Sequence, residues 1–181
     1  MAKLRVGVMF GGISAEKEVS LKSGQQIFKN LSDDKYQRIP IFMDSKAGLW
    51  QIPIELLALE TTKQIEAELN SKAVKIYYEQ LKEQIDLAFP IFHGPYGEDG
   101  TIQGVLELLK IPYVGSNVQS SANAMDKITS KILYRVAGIP LARDLVIHQN
   151  EKPAPDSIVE KLGLPLVVKP SAQGSSVGVT I

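Results

Sequence analysis

The run Ile85-Asp86-Leu87-Ala88-Phe89-Pro90-Ile91-Phe92 leads directly into His93-Gly94-Pro95-Tyr96-Gly97-Glu98-Asp99-Gly100-Thr101. An apolar run of this length, bounded by turn residues, reads as a buried strand. The segment after it holds one of only two histidines in the chain, two adjacent acids and three glycines. Open α/β sheets place ligands beyond the carboxyl ends of their strands. The segment from His93 therefore reads as one wall of a binding site.

Working outward, the same grammar repeats. Leu4 to Phe10 is a first buried strand, and Gly11-Gly12 allow a sharp turn at its end. Between Ser14 and Leu31, the apolar residues Val19, Ile27, Phe28 and Leu31 recur at helical spacing. Tyr36 to Met43 gives a second strand, Asp44 to Gly48 a turn, and Leu49 to Ile52 a short hairpin arm. Residues 54–84 fit no single period and carry no assignment. Ile102, Val105, Leu106 and Leu109 then mark a helical face, with Asp99 or Thr101 placed to cap it. Ile111 to Val114 is another short strand. Strand and helix in alternation predict an α/β fold, a largely parallel sheet covered on both faces.

Past Gly115-Ser116-Asn117 the pattern changes. One helix is predicted from about Ser121 to Ala137, ended by Gly138 and Pro140. A strand near Leu145 to His148, a proline-containing loop and a helix over Ser157 to Leu162 follow. Leu166 to Lys169, a glycine- and serine-rich loop, and Val179 to Ile181 read as a hairpin. The expectation is two domains, 1–120 and 121–181, with the second cut short because its final strand has no further chain to cover it.

Composition narrows the classes. Apolar residues are 44% and charged residues 22%, the proportions of an ordinary globular chain. Twenty basic and twenty acidic side chains cancel, which argues against general nucleic-acid binding. The absence of cysteine excludes disulfides and thiolate metal sites and fits a reducing cytosol. Val6 to Phe10 is too short for a signal sequence, and no apolar stretch is long enough to cross a bilayer. A soluble, cytoplasmic protein with no membrane partner is expected.

Three elements offer chemistry. Glu16 lies just after the first strand, in Gly11-Gly12-Ile13-Ser14-Ala15-Glu16. It serves either a ligand's ammonium group or the helix dipole. His93 either orients a carboxylate, acts as a base, or satisfies backbone groups. In a parallel sheet both residues fall on one edge, and an acid and a base on a shared rim suit a zwitterion such as an amino acid. The third element runs from Lys169 to Gly178. Amides freed by Gly174 and Gly178, with hydroxyls of Ser171, Ser175 and Ser176, suit either phosphate oxygens or a plain hairpin turn. The Walker spacing and the G-x-G-x-x-G fingerprint are both absent. Lys127 and Lys131, four apart, read as surface charges. His93 and His148 form no metal-ligand cluster of recognised spacing, so no metal site is predicted.

Four segments together resemble a known family: Gly11 to Ser20, His93 to Gly104, Met125-Asp126-Lys127, and Lys169-Pro170 through Gly174-Ser175-Ser176-Val177-Gly178. They are similar, in order, to the D-alanine–D-alanine ligases of the ATP-grasp superfamily. The resemblance covers the family's amino-terminal domain and the beginning of its central domain. It implies a Rossmann-like pre-ATP-grasp domain followed by the start of an ATP-grasp α+β domain. It further implies ATP and Mg2+ as cofactors, D-alanine as substrate, a homodimer, and a role in peptidoglycan synthesis through an acyl phosphate. Glu16 would hold the first substrate's ammonium group, His93 would sit near its carboxylate, and Ser175 would join the positioning network. Lys127 and Lys169 would contact the nucleotide, and Gly174, Ser176, Val177 and Gly178 would close over its phosphates. Glu98 would support His93.

The family's metal-binding acids and asparagine, and an arginine that stabilises the intermediate, have no match within these 181 residues. The chain alone is therefore expected to show no ATP-dependent phosphate release with D-alanine. A D-alanine–D-lactate ligase and a non-catalytic binding or dimerising module are the alternative expectations.

Overall fold

The computed structural model describes residues 2–174 and 178–181. The chain separates into two compact units, Met1–Ala122 and Asn123–Ile181.

In the first unit five strands form one sheet: β1 (Leu4–Gly11), β2 (Tyr36–Met43), β3 (Leu49–Gln51), β4 (Val74–Ile76) and β5 (Leu87–Pro90). Their order is β4-β3-β2-β1-β5. β1 runs parallel to both β2 and β5, whereas β3 and β4 join antiparallel. A parallel bridge from Ala88 to Tyr113 extends the sheet beyond β5, where a fuller strand over 111–114 was expected. The parallel centre matches the predicted alternation. The antiparallel flank comes from Leu49–Gln51, the predicted hairpin arm, and from Val74–Ile76 in the unassigned stretch.

Strand alternation sorts the core onto two faces. Val6, Val8 and Phe10 of β1 meet Leu21 and Phe28 of α1 (Lys17–Asn30) and Ile65 and Leu69 of α3 (Thr62–Lys72). The short helix α2 (Ile54–Leu57) adds Leu56 and Leu57 to that face. Met9 of β1 belongs to the opposite face with Leu81 of α4 (Leu81–Gln84) and Ile102 and Leu106 of α5 (Thr101–Leu108). Burial on both sides explains why β1 and β2 read as continuous apolar runs rather than alternating ones. A capping box fixes the start of α3: Thr61 Oγ1 accepts from the Gln64 amide, and Gln64 Oε1 accepts from the Thr61 amide.

Arg5 and Asp86 tie the beginnings of β1 and β5 together through the Arg5 backbone amide and guanidinium. The Arg5 side-chain hydrogen bond leads in holding the Asp86 carboxyl below its ordinary value, and burial opposes it. A lowered folded-state value means the contribution is complete above the unfolded carboxylate pKa of about 3.9 and drains away as pH falls through the folded value. Asp86→Asn is expected to melt at a lower temperature than the parent from neutral pH down to about pH 5, with the gap closing below about pH 4. Thermal unfolding followed by circular dichroism across that range checks it; a gap independent of pH would refute the linkage.

The single expected helix over 121–137 is two: α6 (Val118–Met125), which runs across the division at Ala122, and α7 (Lys127–Val136) in the second unit. Asp126 makes the break: its carboxylate accepts from the Ile128 amide at 3.1 Å and from the Thr129 hydroxyl at 2.6 Å, so a new helix starts there. α8 (Pro155–Leu162) has proline in its first turn and ends at Gly163. Its terminal carbonyls at Lys161 and Leu162 accept from Arg143. The predicted strand over Leu145 to His148 is irregular, and Leu166 to Lys169 forms a single antiparallel bridge, Val168 to Thr180. A strand-like sequence becomes a ladder only beside a partner strand, and among the described residues this bridge is what the unit offers.

Candidate functional site

The parallel strands β1 and β5 are neighbours, so the loops at their carboxyl ends meet. α1 pins both ends: the Gly11 amide donates to Ser20 Oγ at 3.0 Å, and Ser20 Oγ donates to the Ile91 carbonyl at 2.6 Å. Ser14 joins the two loops in the same way. Its hydroxyl accepts from the Glu16 amide at 3.1 Å and donates to the His93 carbonyl at 2.6 Å. Both serines are fully used as donor and acceptor, which leaves little freedom at the rim.

Glu16 stands at the N-cap position of α1, and its side chain makes no capping hydrogen bond. The residue is 5% exposed, and both carboxylate oxygens are buried with no hydrogen-bond partner among the described residues. A buried carboxylate without a partner is costly and calls for a cationic or hydrogen-donating occupant.

Above it lies the His93 loop. His93 is half-buried, with Ser23 Oγ 3.2 Å from its Nε2. The Gly94 amide donates to Glu98 Oε2 at 2.6 Å. Asp99 shapes the next turn by accepting from the Tyr96 and Thr101 amides. Burial raises the Asp99 carboxyl, but these donors together outweigh it and hold the net value below the ordinary one. Of the two predicted caps for α5, Asp99 is the one that reaches the first-turn amide. One ligand atom each from Glu16, His93 and Glu98 lie within 4.8 Å of one another. Glu16 and His93 are 77 positions apart, so linear spacing hid this trio from a search for metal-ligand motifs. A cavity of about 10 Å3 beside it is lined in part by Gly12, Ser14, His93 and Tyr96.

Gly94 is required here. Its φ is +72°, and a Cβ built on it would stand 2.6 Å from Glu16 Oε1. Gly94→Ala is expected to destabilise the fold by about 1–2 kcal/mol through the left-handed backbone alone, read by urea denaturation. An unchanged midpoint would show that the loop relaxes freely.

The nucleotide candidates belong to the second unit. The Lys127 amide donates to the Ser171 carbonyl at 3.0 Å, and Lys127 Nζ donates to the Gln173 carbonyl at 2.6 Å. Lys127 is thus bound to the glycine- and serine-rich loop rather than being a freely solvated charge. Lys131, also read as a surface charge, pairs with Asp144 at 3.3 Å. The Asp144 carboxyl is held low, first by the Arg135 hydrogen bond and then, against burial, by Lys131. Lys169 is exposed next to the Val168–Thr180 bridge. Gly174 is half-buried, and Gly178 has φ +71° with Pro170 against it. Ser175, Ser176 and Val177 lie outside the described residues.

The serines at 14, 20 and 23 were not singled out from the sequence, although Ser14 and Ser20 sit in the Gly11–Ser20 segment. Serine flanking a strand–glycine turn, before a helix that crosses two strand ends, is the signal that would have found them.

Comparison with known proteins places this geometry. Residues 5–116 match the family described as D-ala D-ala ligase N-terminus, and residues 133–181 match D-ala D-ala ligase C-terminus. A D-alanine–D-alanine ligase from Syntrophobacter fumaroxidans is 44% identical over 179 residues, 99% of this chain and 49% of that protein. The VanG D-Ala:D-Ser ligase from Enterococcus faecalis superimposes with a TM-score of 0.82 at 33% identity, over 99% of this chain and 55% of that one. The Bacillus anthracis D-alanine–D-alanine ligase complexed with ATP gives 0.69 at 38% identity, over 94% and 48%. The class these structures define is that of the ATP-grasp ligases. The chain belongs to the D-alanine–D-alanine ligase family, and it spans about half the length of the relatives it matches. Among the described residues, no helix is long and apolar enough to cross a membrane.

Proposed function

We propose that this chain supplies the first-substrate wall, and part of the nucleotide site, of an ATP-dependent ligase that joins two D-alanines. The observation that carries the reading is the buried carboxylate of Glu16, which has no hydrogen-bond partner among the described residues and lies beside a half-buried histidine. That arrangement suits a zwitterion: the substrate ammonium donates to Glu16 while its carboxylate is received near His93. The matches to ligases, one of them solved with ATP, support the same reading.

The reaction this serves has two steps. A carboxylate oxygen of the first D-alanine attacks the γ-phosphorus of ATP, forming an acyl phosphate and releasing ADP. The amine of the second D-alanine attacks the acyl carbon, phosphate departs, and the amine loses its proton. In this scheme Glu16 fixes the ammonium end so that the carboxylate is presented in one orientation. His93 stabilises charge at that carboxylate. Lys127, Lys169 and the Gly174–Gly178 loop, with Ser176 and Val177, contact the nucleotide phosphates, and Ser175 belongs to the positioning network. Mg2+ supplies charge neutralisation to such a transfer. The Glu16–His93–Glu98 trio does not fit it, because Mg2+ prefers an octahedral shell of oxygens and one of these ligands is an imidazole. The peptidoglycan role, the cytoplasmic setting and the homodimer form part of the same proposal.

Calorimetric titration of the chain with D-alanine tests the site directly. Heat that saturates with D-alanine and is absent with L-alanine supports the reading, and no binding up to molar solubility overturns it. The second nucleophile is where relatives differ, since one of them is a D-Ala:D-Ser ligase.

A further inference from the structure

We propose that the Glu16–His93–Glu98 trio is also a binding site for a divalent transition-metal cation of the zinc type, whose occupancy excludes the amino acid. The metal part stands on geometry alone. The exclusion part rests on the reading of Glu16 as the ammonium site.

Three observations converge. One ligand atom from each residue lies within 4.8 Å of the others, the one such group among the described residues. Glu16 is 95% buried by its 5% exposure, and both oxygens lack partners among the described residues, so a coordinating oxygen is available without breaking any described bond. The other two carry supporting hydrogen bonds. Ser23 Oγ lies 3.2 Å from His93 Nε2, and the Gly94 amide donates to Glu98 Oε2, which leaves His93 Nδ1 and Glu98 Oε1 without a hydrogen bond among the described residues. Metal-ligating histidines and carboxylates need such supporting hydrogen bonds.

The donor set selects the cation. Two carboxylates and one imidazole resemble the nitrogen- and oxygen-ligated zinc sites, at bond lengths of about 2.0–2.2 Å. Imidazole suits zinc, copper, iron and nickel, whereas calcium and magnesium favour oxygen. Two carboxylate charges neutralise a divalent ion. A zinc tetrahedron has edges of about 3.3–3.5 Å, so the trio must contract, and Glu98 is exposed and therefore the ligand able to move. The cation takes the same Glu16 oxygens that an ammonium group would use. Both cannot be present together.

The chain is titrated with Zn2+ alone by calorimetry, and with Zn2+ while the two histidine side chains are followed by NMR. One zinc per chain is expected, with the His93 ring signals shifted and those of His148 unmoved. Glu16→Gln and His93→Asn are each expected to weaken binding at least ~10-fold, while His148→Asn leaves it unchanged. No zinc binding, or binding that shifts His148 and spares His93, overturns the proposal; the NMR readout needs no variant and holds even if one fails to fold. Rising D-alanine is expected to raise the apparent zinc dissociation constant in proportion. Zinc binding at His93 that ignores D-alanine overturns the exclusion and the ammonium reading while the metal site stands. D-alanine binding that needs Glu16, without any zinc binding, removes the metal site and leaves the ammonium reading intact.

Discussion

Glu16→Gln is expected to stabilise the ligand-free chain by about 1 kcal/mol while weakening D-alanine binding about 100-fold. The two effects share one cause. The carboxylate is buried and neither oxygen is hydrogen-bonded among the described residues, so its desolvation is uncompensated until a cation arrives. Glutamine keeps the shape, removes the charge and relieves that cost. It also removes the charge-assisted hydrogen bond to the ammonium group, a contact of about 1.5–3 kcal/mol, and a hundredfold loss is near 2.7 kcal/mol. If Glu16 merely faced the helix dipole, the outcome would be reversed: a loss of about 0.3–1 kcal/mol in stability and no effect on the ligand. Thermal melts and D-alanine calorimetry on the same two proteins decide it.

Gly11→Ala is expected to destabilise the parallel sheet by roughly 3–4 kcal/mol. Gly11 has φ +90°, a region that L side chains avoid, and a Cβ there would stand 2.5 Å from the Met43 carbonyl oxygen. That oxygen belongs to the partner strand and accepts the Gly12 amide at 2.9 Å, so it cannot retreat without breaking the end of the β1–β2 ladder. Strain and collision therefore add. For a chain of this length the loss corresponds to a fall of roughly 10 °C in the melting temperature. A drop of only a degree or two would mean the strand end is far looser than its hydrogen bonds indicate.

How much of this was legible in the residues depends on the range of the forces involved. β2 was readable at both ends, Tyr36 and Met43, and β1 to within one residue, because burial on both faces writes an unbroken apolar run. The meeting of Glu16 and His93 followed from topology: parallel neighbours must present their carboxyl ends on one edge. The stretch 54–84 stayed unassigned because α2 and α4 are four residues each, β4 is three, and the eleven-residue α3 buries only Thr62, Ile65 and Leu69 among polar neighbours. The Thr61–Gln64 capping pattern was there as a start signal for α3. Asp126 was read within a motif and not as a cap, so two helices looked like one. The proximity of Glu98 to Glu16, and the bridging by Ser14 and Ser20, depend on tertiary contacts between distant loops, which no local pattern records.

Ser14, Glu16, Ser20, Ser23, His93 and Glu98 all belong to the unit Met1–Ala122, and each hydrogen bond among them closes inside it. Consider what that means for descent rather than for mechanism. On the proposed reading, a lineage that exchanges one nucleophile for another need not touch these residues. Most of the first building block's proposed wall is then a heritable part inside one unit, free to be kept while the partner reaction drifts.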